Sequence, residues 1–367
     1  MPTGVIFRTL PEMARILYGV MGNTNGHIMR TLSLISQLPH HQFHLVGGGR
    51  VPEVVGDRYP VLHVPVLHTR HKNRRLDLSG TIGQIALRIA QIPVICHRIH
   101  RLVQTWKPDL LVSDREFFTP IYARLTSRFC LSVDHTHILK SALYPVPPEL
   151  RGIYRLTMLN DYCLYDWTRH NLITSFFHPP TRQRRGITDE FFSGVVRPEL
   201  AEFTPSDQGH ILVYLSIPQF PDLLATLRQT GRPVLVYGAK REGTEGTITY
   251  RPYNNRAILS DLASCSYAVI NGGHNLICEA LQFGKPILCF PIAGLIEQFV
   301  NVHFVRELGY GDYTTNHSPE IELFHAFEER LPAYRHAIAA GYRDGTPDLV
   351  ARLDQIARER AILHSQD

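Results

Sequence analysis

Short apolar runs alternate with helix-length segments along this chain, and near residue 209 the alternation begins a second time. The first series has runs at 14–21 (ARILYGVM), 41–47, 61–66, 109–113, 129–133, 172–175 and 191–196, with helical patterns over 28–38, 80–105, 120–127 and 150–168. The second has 209–215 (GHILVYL), 233–237, 248–251, 267–270 and 286–290, with helices expected at 219–229, 255–264, 275–283 and 295–308. Strands that alternate with helices build a parallel sheet covered on both faces. At 367 residues the chain suits two such units of about 150–180 residues each. The fold class expected is therefore α/β, with two doubly wound Rossmann-like domains. The connector near 197–207 (RPELAEFTPSD) sets the expected limits: 1–198, 199–345, and a terminal charged helix within 346–367. Residues 1–12 precede the first strand signal and look like an addition.

Composition removes several classes. An apolar fraction of 44% against 19% charged residues is enough to bury two cores, which argues against disorder. The six cysteines are scattered with no C-x-x-C pair, so they read as packed thiols in a reducing compartment. No leader pattern opens the chain and no run of about 18 apolar residues spans a bilayer, so a cytoplasmic protein is expected. The nearest approach, 81–103, is broken by Arg88, Pro93, His97, Arg98 and Arg101 and reads as an amphipathic helix pair. The net charge of +5 is concentrated at 68–75 (HTRHKNRR) and 182–185 (RQRR). Solvated loops are one reading, and peripheral contact with an anionic membrane or acidic acceptor is the other. No nucleic-acid motif accompanies the charge, so no nucleic-acid partner is expected.

Chemistry concentrates at 269–301 (VINGGHNLICEALQFGKPILCFPIAGLIEQFVN). A strand ends in Asn271, Gly272 and Gly273, and a helix starts near His274 and Asn275. Two glycines let backbone approach a ligand, and N–H groups at a helix start hold a diphosphate. Glu279, one turn further on, is placed to accept ribose hydroxyls. A plain tight turn is the alternative for the glycine pair taken alone.

The segment resembles the C-terminal signature of GT-B glycosyltransferases related to the UDP-glucuronosyltransferases and the N-acetylglucosaminyltransferase of peptidoglycan synthesis. The residues that carry this are Gly272, Gly273, Asn275, Glu279-Ala280, Gly284-Lys285-Pro286, Pro291, Glu297-Gln298 and Asn301. The resemblance implies a phosphate loop at 273–275 and a ribose ligand at Glu279. It also implies that Glu297 and Gln298 bond the hydroxyls of the donor sugar.

A second motif, 16–30 (ILYGVMGNTNGHIMR), resembles the N-terminal Gly-x-Gly-x-Gly-His…Arg element of the same enzymes, within a bacterial and archaeal branch bearing Gly-Asn-Gly-His. Asn23-Thr24 stand where Thr-Gly is usual. The resemblance makes His27 the catalytic base, against the alternative of a helix-start packing residue, with Gly26 beside the donor. Asp114, ending the strand within 107–118 (KPDLLVSDREFF), sits where relatives carry the partner of that base, or else it is a helix cap. By the same comparison Ser216 lies near the diphosphate, and Arg251 and Tyr253 belong to the loop against the nucleobase. His135 and His137 (DHTH) follow a strand and are expected on the acceptor side.

No Asp-x-Asp occurs and no third ligand joins the two histidines, so no metal and no cofactor are expected. The function implied is an inverting, metal-independent transfer of a sugar from a nucleotide-diphosphate donor (a UDP- or dTDP-sugar) to a hydroxyl. The acceptor, whether lipid-linked, glycan or small molecule, is left open. A nucleotide-sugar hydrolase or hydrolysing epimerase of the same fold is one rival, and a non-catalytic nucleotide-sugar sensor is the other.

Overall fold

The structure is a computed structural model that describes residues 13–67, 71–72, 75–76, 78–215, 222–239, 241–316 and 318–364. The N-terminal half contributes strands β1 (Arg15–Val20), β2 (Gln42–Gly47), β3 (Val61–His63), β4 (His71–Lys72) and β5 (Arg75–Leu76). It continues with β6 (Leu110–Asp114), β7 (Cys130–Asp134), β8 (His170–Thr174) and β9 (Thr188–Phe192). Seven of these form one sheet in the order β3-β2-β1-β6-β7-β8-β9, and β4 and β5 make a small antiparallel hairpin. Every pairing in the large sheet is parallel. Its central strands are buried on both faces, which is why they read as mainly apolar runs without alternation.

The C-terminal half repeats the plan with β10 (Ile211–Tyr214), β11 (Val234–Tyr237), β12 (Gly243–Glu245), β13 (Ile248–Arg251), β14 (Tyr267–Ile270), β15 (Ile287–Cys289) and β16 (Gly311–Tyr313). The order is β12-β13-β11-β10-β14-β15-β16, parallel except for the edge strand β12. Helices Ile321–Glu329 and Leu331–Gly341, which the sequence reading did not include, cover one face through Phe324, Phe327, Leu331 and Tyr334.

The two halves share a core. Ile138, Met158, Phe176 and Phe177 of the first pack in one cluster with Ile270, Ile277, Val300 and Val302 of the second. The Phe177 and Phe304 rings stack at 4.1 Å across the junction. The last helix, Thr346–His364, buries Leu349, Leu353, Ile356 and Ala357 in the N-terminal core beside Ile16 and Val112.

The expected helix pair near 80–105 is a single helix, Leu78–Trp106, that runs through Pro93. Proline removes one backbone bond and crowds the preceding turn. Ile92, Ile95, Ile99, Leu102, Val103 and Trp106 pack on the sheet at helical spacing on both sides of it, and that burial holds the helix together. No described helix is long and apolar enough to cross a membrane.

Candidate functional site

Register brings the first two site residues together. Val20 at the end of β1 pairs with Asp114 at the end of β6, and the Met21 N–H donates to the Asp114 carbonyl at 3.1 Å. The chain then turns into helix Asn25–Ile35, whose Thr24 cap position makes no side-chain bond and whose first turn holds no acid. His27 and Arg30 are three apart on this helix and therefore share a face. His27 Nδ1 lies 2.7 Å from Asp114 Oδ1. Arg30 takes both oxygens of the same carboxylate, Nε to Oδ2 at 2.9 Å and Nη2 to Oδ1 at 2.6 Å. Asp114 is fully buried and Arg30 nearly so. Burial works against the Arg30 charge, but Asp114 beside it outweighs that and lifts the guanidinium pKa above its ordinary value.

Arg30 Nη2 is also 2.9 Å from His27 Nδ1. A guanidinium has no acceptor. A proton on Nδ1 must therefore go to Asp114, leaving Nε2 bare. A bare Nδ1 accepts from Arg30 instead, with the proton on Nε2.

His27 borders a cleft of about 720 Å³, and the described residues lining it all come from the N-terminal half. Its walls are apolar (Met21, Val66, Leu67, Ile85, Leu164, Tyr165) and Arg50, Arg88 and Arg115 enter it. Arg115 follows Asp114 directly and has φ 55, a left-handed backbone that is uncommon off glycine and clusters at functional sites. Its Nη2 bonds Asp161 Oδ1 at 2.6 Å and its guanidinium lies 4.3 Å over Tyr165.

Across the junction, helix His274–Gln282 also begins without a side-chain cap or an acid in its first turn. Asn275 Nδ2 donates to the Gly26 carbonyl at 2.7 Å, so the starts of the two helices abut. Gly272 has φ +93 and a Cβ there would meet Val302 Cγ1 at 2.5 Å, so glycine is required. Gly273 has φ −70, and a Cβ would meet nothing within 4 Å. His274 stacks on His135 with centroids 3.7 Å apart. Burial, then His135 and Arg30, hold its pKa well below the usual imidazole range. Glu297 accepts from Thr136 at 3.0 Å, again between halves. Gln298 Oε1 accepts the Ile292 N–H at 2.9 Å.

Other expected residues fall differently. Both oxygens of buried Glu279 are taken by Arg197, at 2.6 and 2.8 Å, so its carboxylate is not free in the way ribose binding assumes. Neither His135 nor His137 is among the described residues lining the cleft beside His27. His135 is buried between the Thr174 carbonyl and Asn301 Oδ1, each 2.8 Å away, and burial lowers its pKa against the pull of Glu297. His137 is buried against Asp134, with Nδ1 2.7 Å from Oδ2 and its backbone N–H donating to Oδ1 at 2.9 Å. Arg251 Nη1 reaches both oxygens of Asp261, at 2.6 and 2.8 Å, while Tyr253 is exposed and its ring lies 5.7 Å from Tyr214. Ser216 lies outside the described residues, as does most of the basic segment at 68–75. In the other basic segment Arg184 is tied to Asp166 and Asp189, leaving Arg182 and Arg185 exposed.

Sequence reasoning passed over Arg30, Arg115, Arg197 and Asn301 as site residues. The Gly-His-x-x-Arg spacing was the available signal for Arg30. Asn301, fully buried, links His135 to the Gly272 carbonyl at 3.1 Å.

Among the described residues one cluster has metal-ligand composition: His40, His41 and Asp354. It lies at the opposite, amino end of β2. His41 Nδ1 accepts the Ala14 N–H at 3.1 Å, so in neutral imidazole the proton sits on Nε2, the nitrogen a metal would need. That bond disfavours a metal on His41, and Asp354 is met instead by His40 at 2.7 Å and Arg358 at 2.9 Å.

A family model described as "Glycosyl transferase family 1" matches residues 14–332. A protein of Methanosarcina acetivorans described as an uncharacterized glycosyltransferase is 25% identical over 354 residues, covering 88% of this chain and 92% of its own length. Among solved structures, Phytolacca americana UGT2 complexed with UDP-2-fluoro-glucose and pterostilbene superposes with a TM-score of 0.67 at 12% identity, covering 94% of this chain and 100% of that one. The glycotransferase of kitacinnamycin gives 0.66 at 14% identity, covering 97% and 100%.

Proposed function

Since the chain belongs to glycosyl transferase family 1 and has the GT-B fold of those structures, we propose that it transfers a sugar from a nucleotide-diphosphate donor to an acceptor hydroxyl with inversion. One observation carries the reading: two uncapped, acid-free helix starts meet beside His27. Each presents unbonded N–H groups and the positive end of a helix dipole, which together favour an anion. Open space at Gly273 supports the same place for a diphosphate.

His27 is the base, in the tautomer that gives its Nδ1 proton to Asp114. Its Nε2 takes the acceptor proton as the hydroxyl attacks the anomeric carbon from the face opposite the diphosphate. The leaving phosphate gains charge at the start of helix His274–Gln282, where the backbone N–H groups stabilise it. Transfer needs no divalent ion in this reading, because those N–H groups do the work and the chain carries no Asp-x-Asp. UDP- and dTDP-sugars are the donors proposed, bonded through Glu297 and Gln298. These two, with Asn275, would exchange their present partners for the sugar.

A thermal-shift panel of nucleotide-diphosphate sugars tests the donor, since a ligand of the folded state stabilises by mass action. A matching donor is expected to raise the melting temperature with EDTA present. No stabilisation by any member would overturn the reading, and free sugar released without acceptor at the full turnover rate would favour the hydrolase.

A further inference from the structure

The cleft beside His27 is large for its surroundings and unbalanced in charge. At about 720 Å³ it falls in the range of sites for drug-sized molecules. Met21, Val66, Leu67, Ile85, Leu164 and Tyr165 give it apolar walls. Three arginines enter it, and no acidic residue is among those described as lining it.

The three arginines differ in what balances them. Arg115 is neutralised by buried Asp161 at 2.6 Å. Arg50 is half exposed and has only a loose contact with Glu53, at 3.9 Å. Arg88 has no carboxylate partner among the described residues. Its Nε–H donates to the Val66 carbonyl at 3.0 Å and its Nη1 to Gln91 Oε1 at 2.9 Å. Both acceptors are neutral, so they fix the guanidinium at the cleft wall without offsetting its charge. They occupy two of five N–H donors, and the planar fork that remains matches the oxygens of a carboxylate or phosphate.

We infer that the acceptor is an anionic amphiphile, with an apolar body against the cleft wall and a carboxylate or phosphate on Arg88. The inference rests on His27 as the base, because it takes the cleft at that residue as the acceptor's. A neutral acceptor filling the cleft would strip water from Arg88 and give it no counter-charge, which is costly. A bare anion would leave the apolar wall in water and forgo its burial.

Calorimetry with octyl phosphate, octanoate, octanol and inorganic phosphate tests this on the whole protein, below micellar concentrations. An anionic octyl compound is expected to bind about tenfold tighter than octanol, in line with a charge-assisted hydrogen bond. Arg88→Gln should collapse that margin by weakening the anionic compounds, with octanol bound at least as well as before because no unpaired charge is then desolvated. The tighter of octyl phosphate and octanoate identifies the headgroup. Salt gives a readout that needs no variant: the anionic compounds should weaken as ionic strength rises while octanol does not.

An undiminished preference in folded Arg88→Gln would overturn the inference, as would octanol matching the anions. Inorganic phosphate as tight as octyl phosphate would do the same, by showing a bare anion site. UDP titrated into the same samples separates the two readings. UDP binding without amphiphile preference sinks the acceptor class alone, and amphiphile preference without binding of any nucleotide diphosphate sinks the donor reading alone.

Discussion

Arg30 holds both oxygens of Asp114, so the carboxylate that faces His27 already has a counter-charge. The imidazole therefore meets a nearly neutral ion pair. Asp114 and Arg30 also favour opposite tautomers of His27, and only the one set by Asp114 leaves Nε2 free to act as a base.

His27→Ala should lower turnover by roughly 10²–10⁴-fold while leaving donor affinity nearly unchanged, since the proposed donor site lies mostly on the other half and only the His27 side chain is removed. The side chain is partly exposed and its loss leaves the Arg30–Asp114 pair intact, so the melting temperature should fall little. Turnover and melting temperature measured on one sample decide between base and packing residue. Near-normal turnover in the folded variant would sink the mechanism.

Asp114→Asn should be worse for the fold than for a simple orienting partner. It strands Arg30, whose side chain is 4% exposed, at a cost of about 3–5 kcal/mol. Arg30→Gln in the same chain should restore part of that loss, because neither buried charge then remains. Urea unfolding of the two single variants and the double variant measures the coupling, and simple additivity would contradict it.

Glu279→Ala cannot report on ribose binding alone, because it leaves Arg197 buried without its partner. A destabilisation of about 3–5 kcal/mol is expected. Glu279→Gln keeps one acceptor oxygen and should cost less, so it is the better probe of nucleotide affinity. Chemical denaturation checks the first point, and UDP titration into the Gln variant checks the ribose role.

The adjacent glycines should behave differently. Gly272→Ala forces a side chain into φ +93 against Val302 and should cost about 1–3 kcal/mol of stability. Gly273→Ala meets no protein atom and should fold normally. If a diphosphate lies there, the added methyl should weaken donor binding by about tenfold or more. Unchanged donor affinity in Gly273→Ala would move the phosphate elsewhere.

Stability should decline on the acid side of about pH 6.5, where an exposed imidazole titrates. Burial, with His135 and Arg30 nearby, keeps folded His274 neutral to lower pH, and burial does the same for His41. Below that pH the unfolded chain binds more protons than the folded one. Stability is thus present above it and is lost as pH falls, by at most about 1.4 kcal/mol per pH unit for each histidine. His274→Gln should flatten the dependence of melting temperature on pH between pH 5 and 7. Parallel curves for the two proteins would remove His274 from the account.

Local pattern was enough for much of this molecule. Mainly apolar, non-alternating runs at β1, β6, β7 and β14 mark strands buried on both faces, and the restart near 209 marks a second sheet. Gly272 was legible because a tight strand-to-helix turn needs its positive φ, and the His27–Arg30 spacing fixes a shared helix face. Partners were not legible, because they depend on strand order and on how the halves pack. Arg197 meets Glu279 from 82 residues away, Arg30 meets Asp114 from 84, and His135 meets Asn301 from 166. Helical period likewise placed the apolar stripe around Pro93 but not the continuity of that helix, which packing on the sheet decides. Spacing along the chain tells which side chains share a face. Whether a charged one faces a ligand or a buried counter-ion is settled by the tertiary fold, because burying a charge demands a partner wherever the chain brings one.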